Sequence, residues 1–275
     1  MKNLLYIVLI SLSFTACEEV VDLDLNTAEP RLVIDASLTW FKGTDGKNQS
    51  IKLSLSAPFY ATEVPPANNA VVQVKDTHNN TFTFVEDGDT GVYENDGFIA
   101  ELNGEYTISI TYNDEVYTGT EKLMPVSDID YVDQKDDGGF SGEDIEIKAY
   151  YTDPEGVDNY YLFEFDKAGS NHVSLNVYDD EFNDGNQIFA FYSDDEFLDP
   201  GDELTIFNSG ISERFYQFMV VLLQQSDDEG GDPFETQPAT VRGNCVNETN
   251  PENYPFGYFR ASEVATFKYI IKSNL

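Results

Sequence analysis

Apolar residues recur at every second position through the first half of the chain. Leu32, Ile34, Ala36 and Leu38 alternate with polar or small residues. So do Ile51, Leu53 and Leu55, then Ala70, Val72 and Val74, then Phe82 and Phe84, then Tyr106, Ile108, Ile110 and Tyr112. A period of two turns one side of each segment to a core and the other to water, which predicts half-buried strands. The breaks carry Gly, Asn, Asp and Pro, as in Pro65-Pro66-Ala67-Asn68-Asn69 and Asp87-Gly88-Asp89. These residues supply the turn conformations that join short strands. About seven such strands over 31–124 predict a small β-sandwich domain.

Pro125 to Asp130 reads as the hinge to a second unit, 125–275. Strand-like runs follow at Ile145 to Tyr151, Tyr160 to Phe165, Val173 to Tyr178, Ile188 to Tyr192 and Leu204 to Phe207. The period then changes. Ile211, Phe215, Phe218, Met219, Leu222 and Leu223 recur at three-to-four spacing and predict one amphipathic helix near 211–225. Ser209 or Ser212 is placed to cap its start. The helix is expected to lay its apolar face on the second sheet. A final strand is predicted from Ala265, Phe267, Tyr269 and Ile271. The fold class is mostly β, a sandwich followed by a second β-rich domain carrying one helix.

The N-terminus follows different rules. Lys2 precedes an apolar run from Leu4 to Phe14. About eleven helical residues span roughly 17 Å, well short of the ~30 Å hydrocarbon core. The run therefore reads as the apolar part of an export signal, 1–16. Phe14-Thr15-Ala16-Cys17 resembles a bacterial lipobox, so Cys17 is the candidate lipidation site and 17–30 an acylated tether. An ordinary secretory signal would instead leave Cys17 as a disulfide partner. Acylation of Cys17 leaves Cys245 without an intramolecular partner, and Cys245 then reads as a small buried hydrophobe.

Charge removes several function classes. The chain has 15 basic and 51 acidic residues, a net charge of −36. Loss of the signal takes only Lys2, so the exported part is slightly more acidic still. Nucleic acid is excluded as a partner, because its binding needs basic patches. Protein contacts with anionic headgroups are disfavoured for the same reason, so the outer-membrane bilayer would be held through acylated Cys17.

The chemistry-bearing residues form no recognisable catalytic set. His78 lies in the turn-like Asp76-Thr77-His78-Asn79-Asn80 and His172 follows Ser170-Asn171; neither has a second ligand at metal spacing. No phosphate loop or nucleophile elbow is present. With 51 carboxylates, any acid pair could be offered for glycoside hydrolysis, so none is informative. Asp179 to Asn186 and Asp194-Asp195-Glu196 with Asp199 are rich in oxygen ligands for a hard cation. An EF-hand is ruled out, since Phe182 stands at a ligand position and Phe191 where the bidentate Glu belongs. These stretches read as solvated acidic loops, with no metal or cofactor expected. The candidate partner or ligand contacts are aromatics at breaks in the pattern: Trp40, Phe41, Phe59, Tyr60, Tyr254, Phe256, Tyr258 and Phe259. Loop aromatics on a rigid sandwich can stack on sugars or anchor a protein, or else plug the sandwich ends.

Several stretches carry a family resemblance. They are Cys17 to Leu23, Leu32 to Ala36, Asn69 to Val74, Gly91-Val92-Tyr93 and Gly104 to Thr107. More specific are Gly231-Asp232-Pro233-Phe234, Arg242-Gly243-Asn244 and Gly257-Tyr258-Phe259-Arg260-Ala261-Ser262. Together they resemble the Bacteroidota lipoprotein family known as domain of unknown function 4249. The N-terminal pieces alone also resemble transthyretin-like and other immunoglobulin-type sandwiches. The resemblance implies an outer-membrane lipoprotein, often encoded beside a TonB-dependent transporter, and no known activity. Glu18-Glu19 loosely resembles the acidic signal for cell-surface export in that phylum. The expected function is a non-catalytic accessory or ligand-capturing partner of such a transporter. The alternatives are a stand-alone glycan-binding surface module and an enzyme with an unrecognised carboxylate site.

Overall fold

The computed structural model describes residues 29–58, 61–139, 142, 144–193, 198–226 and 241–273. Seven strands build the first unit: β1 (Leu32–Phe41), β2 (Gln49–Leu55), β3 (Val71–Asp76), β4 (Thr81–Glu86), β5 (Val92–Asn95), β6 (Glu105–Tyr112) and β7 (Glu115–Lys122). β8 (Ile129–Gly138), β9 (Asp144–Thr152), β10 (Tyr160–Lys167), β11 (Val173–Asp179), β12 (Gln187–Ser193) and β13 (Glu203–Ile211) follow. Helix α1 (Glu213–Ser226), β14 (Val246–Asn247) and β15 (Phe256–Ile270) complete the order.

Two cores form. Ile34, Leu38, Ile51, Leu53, Val72, Val74, Ile108 and Ile110, the inward phase of the alternation, fill the first. β4 turns the corner of this sandwich, pairing with β3 through Thr81 to Phe84 and with β5 through Val85 and Glu86. The second core lies between β10, β13 and β15 on one side and the sheet β12-β9-β8 on the other. Tyr151, Tyr161, Phe163 and Phe165 fill it. Tyr151 meets Tyr161 edge-on at 4.8 Å, a contact of about 0.5–1.5 kcal/mol beyond burial itself.

β15 joins the units. Its first half pairs in parallel with β1, from Val33↔Phe256 to Phe41↔Val264. Its second half pairs antiparallel with β13, from Ser209↔Val264 to Glu203↔Ile270. A parallel pair needs a long crossover, and here it runs from β2 through β14. The boundary at 124/125 is therefore one-sided: Cys245, Phe259 and Ala261, sequence-assigned to the second unit, pack in the first core. The segment read as a hinge is stitched to β15. Met124 N–H donates to Ala261 O, Glu263 N–H to Met124 O, and Val126 N–H to Glu263 Oε2.

α1 starts one turn-residue later than the pattern alone implies. Ser212 caps it, its Oγ accepting from Phe215 N–H at 3.2 Å. Phe215 and Met219 bury against Leu162, Ile211 and Tyr258, with Leu175 and Val177 beside them. The helix thus covers the outer side of β10 and β11. No helix among the described residues is long and apolar enough to cross a membrane.

Candidate functional site

The sequence-selected aromatics do not converge. Cys17, Phe59 and Tyr60 lie outside the described residues, as do the signal 1–16, most of the tether and Asp194 to Glu196. Trp40 packs on the first core and donates its indole N–H to Thr44 O at 3.0 Å, which pins the β1–β2 turn. Phe41 is exposed and faces Phe207 at 6.2 Å. Tyr254 is held between two guanidiniums, Arg31 at 3.9 Å and Arg242 at 4.0 Å, with Phe256 edge-on at 5.8 Å. The parallel register sets Phe256 against Val33 and Val264 against Phe41. Trp40 and Phe41 therefore lie about 25 Å of strand away from Tyr254 and Phe256.

Tyr258 and Phe259 are corrected from contacts to core. Both lie inside β15 and not in a loop. Phe259 is fully buried in the first core, while Tyr258 packs under α1 and donates its hydroxyl to Glu121 Oε2 at 3.0 Å. Strand alternation sends the neighbours to opposite faces. Of the run Tyr254 to Phe259, Tyr258 and Phe259 plug the interior.

A different aromatic group lies exposed. On the outer face of β12-β9-β8, Tyr131, Tyr150 and Phe189 stand on one rung, with Tyr131 paired to Tyr150 and Phe189 to Tyr150. Tyr131 and Tyr150 stack at 4.5 Å with their planes 13° apart, and Phe189 follows at 5.3 Å. Tyr131 is 46% and Phe189 41% exposed. Ile147, Ala149, Tyr151, Ala190 and Tyr192 fill the inner face of the same strands. Both faces are thus rich in apolar residues, which blurs the period of two. A bulge hides the row further. Ile129 pairs with Tyr151 but Tyr131 pairs with Tyr150, so Asp130 is the extra residue and the pattern shifts by one. The available signal was the pair of outward-phase aromatics in Ile188-Phe189-Ala190-Phe191-Tyr192.

Polar groups flank the row. Asp130 Oδ2 accepts from Thr152 Oγ1 at 2.8 Å and from Gln187 Nε2 at 2.7 Å. Lys148 lies over Phe189 at 4.9 Å and pairs with Glu146. The Glu146 carboxylate beside it raises the Lys148 ammonium above its ordinary range, so the amine stays charged. A stacked apolar strip, a fixed acceptor and a fixed cation can bind a ligand with alternating apolar and polar faces.

His78 is exposed, 3.7 Å from Glu101, and His172 is exposed in a loop. A shallow concavity of about 610 Å³ is lined by Glu86, Asp87, Glu94 and Asp96 with Asn48, Ser50 and Asn95. Cys245 is buried, and burial pushes its thiol up to about 12.

Comparison with known proteins gives one family. The family model described as "Domain of unknown function (DUF4249)" matches residues 18–268. No curated protein matches the chain. Among solved structures, a two-domain fibronectin type III segment of chicken tenascin is 14% identical, covers 66% of this chain and 90% of its own, and has a TM-score of 0.22. A DUF4785 family protein from Legionella pneumophila is 10% identical over 65% of this chain and 52% of its own, with a TM-score of 0.26. A cytokine receptor complex chain is 7% identical over 65% and 82%, with a TM-score of 0.25. At these values none of the three bears on function.

Proposed function

This chain belongs to the DUF4249 family, and from that premise we propose a non-catalytic, lipid-anchored outer-membrane protein that captures a ligand for a TonB-dependent transporter. The observation that carries the capture is the exposed row Tyr131–Tyr150–Phe189. Strands hold these rings in place, so binding costs little further side-chain ordering. The Asp130–Thr152–Gln187 group beside them offers oriented donors and acceptors for hydroxyls. That combination suits a saccharide, whose rings have apolar faces and polar edges. Cys17 supplies the anchor in this reading. The roughly twelve residues between it and Glu29 reach at most about 40 Å.

A stand-alone glycan-binding module is the second reading, favoured by the same stacked tyrosine pair. The test is a detergent pull-down of the tagged full chain from its native outer membrane, wild type beside Cys17→Ala, read by mass spectrometry. A barrel transporter recovered with wild type and lost from Cys17→Ala is the expected result. Wild type recovered alone from the membrane removes the transporter and leaves the stand-alone module. Wild type found outside the membrane fraction overturns the anchor.

A further inference from the structure

Asp153 follows β9, while Asp180 and Asp184 stand on the loop between β11 and β12. Asp153 is 2% and Asp180 6% exposed. One carboxylate oxygen from each of the three lies within 4.8 Å of the other two. For any such triple, one point lies within about 2.8 Å of all three atoms, near the calcium–oxygen distance of about 2.3–2.6 Å. None of the ion pairs among the described residues involves these aspartates.

A second feature points to a ligand. Asn159 is 7% exposed, and its Oδ1 is buried with no hydrogen-bond partner. Its backbone N–H donates to Asp180 Oδ2 at 2.8 Å. The residue immediately precedes β10, two residues before Tyr161, whose hydroxyl donates to Asp153 Oδ1 at 2.6 Å. Asn159 thus holds Asp180 through its N–H while its buried side-chain oxygen is left without a partner. The Tyr151 hydroxyl, also buried without a partner, feels the charges of Asp153 and Asp180. Each of these costs free energy in a dry interior. One hard cation offsets all the carboxylates and the amide oxygen together.

We propose that Asp153, Asp180, Asp184 and the side-chain oxygen of Asn159 bind one calcium ion, which locks the β9–β10 connection to the β11–β12 loop. Donors around the set orient its carboxylates: Tyr161 O–H and Gly185 N–H on Asp153, Asn159 N–H on Asp180, Gly156 N–H on Asp184. Calcium fits better than magnesium, which demands a tight octahedron and retains its waters. Asp153 N–H donates to Asn186 O at 3.0 Å, next to the Thr152↔Gln187 rung. The ion thus steadies the end of the sheet that carries Tyr150 and Phe189. No stretch of sequence displays the set, because Asp153 lies far upstream of the loop it completes.

Terbium luminescence tests this, with the nearby Tyr161 as sensitiser. The full chain is stripped with chelator, titrated with terbium, then back-titrated with calcium or magnesium. The expected result is saturable emission displaced by calcium and not by equal magnesium. Asp180→Asn and Asp184→Asn should each weaken it at least about tenfold, and Glu94→Gln on the first unit should not. Asp184 is exposed, so its variant keeps the fold whatever becomes of Asp180→Asn, and far-UV circular dichroism checks both. Equal emission from wild type and a folded variant overturns the proposal. So does a titration that never saturates, the signature of diffuse binding to an acidic surface. Neither result depends on what the aromatic row binds.

Discussion

Gly257 sits where the chain leaves no room for a side chain. Its φ is +84°, and a Cβ there would stand 2.1 Å from Ile34 O. Gly243 packs against it from the other side, where a Cβ would meet Gly257 O. The two glycines let the 241–245 segment, β15 and β1 approach closely enough to seal the first core. Only glycine takes this φ without strain. Gly257→Ala is therefore expected to lose about 2–4 kcal/mol, seen as a lower urea midpoint at unchanged slope. A loss below about 1 kcal/mol would show that the approach relaxes freely. The side chains next to Gly257 teach a related lesson. In sequence, Tyr258 and Phe259 look like loop aromatics because Pro255 and Gly257 flank them. In three dimensions they are strand residues, since Gly257 bends the chain within β15 and does not end it.

At the scale of elements, α1 is tied to the first unit through its cap. Glu121 Oε2, on β7, accepts from the hydroxyls of Ser212 and Tyr258, both at 3.0 Å. Ser212→Ala removes the cap and one of these bonds together. It should cost about 1 kcal/mol, a fall of about 2–4 °C in melting temperature for a chain of this size. Ser212→Thr should restore most of it, and an unchanged midpoint would contradict the capping role. Element prediction from the sequence worked where one face of a strand is wet, as in β1, β2, β3 and β6, and where the apolar spacing switched to that of a helix. It found β12 as a strand but not its exposed aromatic, because both faces carry apolar residues, and it missed β8, where the Asp130 bulge shifts the phase. Parallel pairing of β1 with β15 leaves no local trace, because its partners are more than two hundred residues apart in the chain. The aromatic row and the Asp153–Asp180–Asp184 cluster share that cause. Each is assembled from strands or loops distant in sequence, so no window contains it.

At the scale of the molecule, two sandwiches share one strand, and the linking segment is hydrogen-bonded to that strand through Met124 and Val126. The exposed sheet β12-β9-β8 is consequently held by the second core and not by a free hinge. A net charge of −36 surrounds it. Such a charge repels anionic headgroups within a Debye length, so the proposed membrane role requires an anchor such as lipid on Cys17. It also favours a neutral ligand over an anionic one, in keeping with stacking on Tyr131, Tyr150 and Phe189. The capture role rests on that row. The most direct measurement is binding of the full chain to an array of neutral oligosaccharides, wild type beside a Tyr131→Ala/Phe189→Ala variant. The account predicts saturable binding by wild type to at least one saccharide, weakened at least tenfold, about 1.4 kcal/mol, in a variant of native circular dichroism. No binding by wild type, or equal binding by the folded variant, would contradict it.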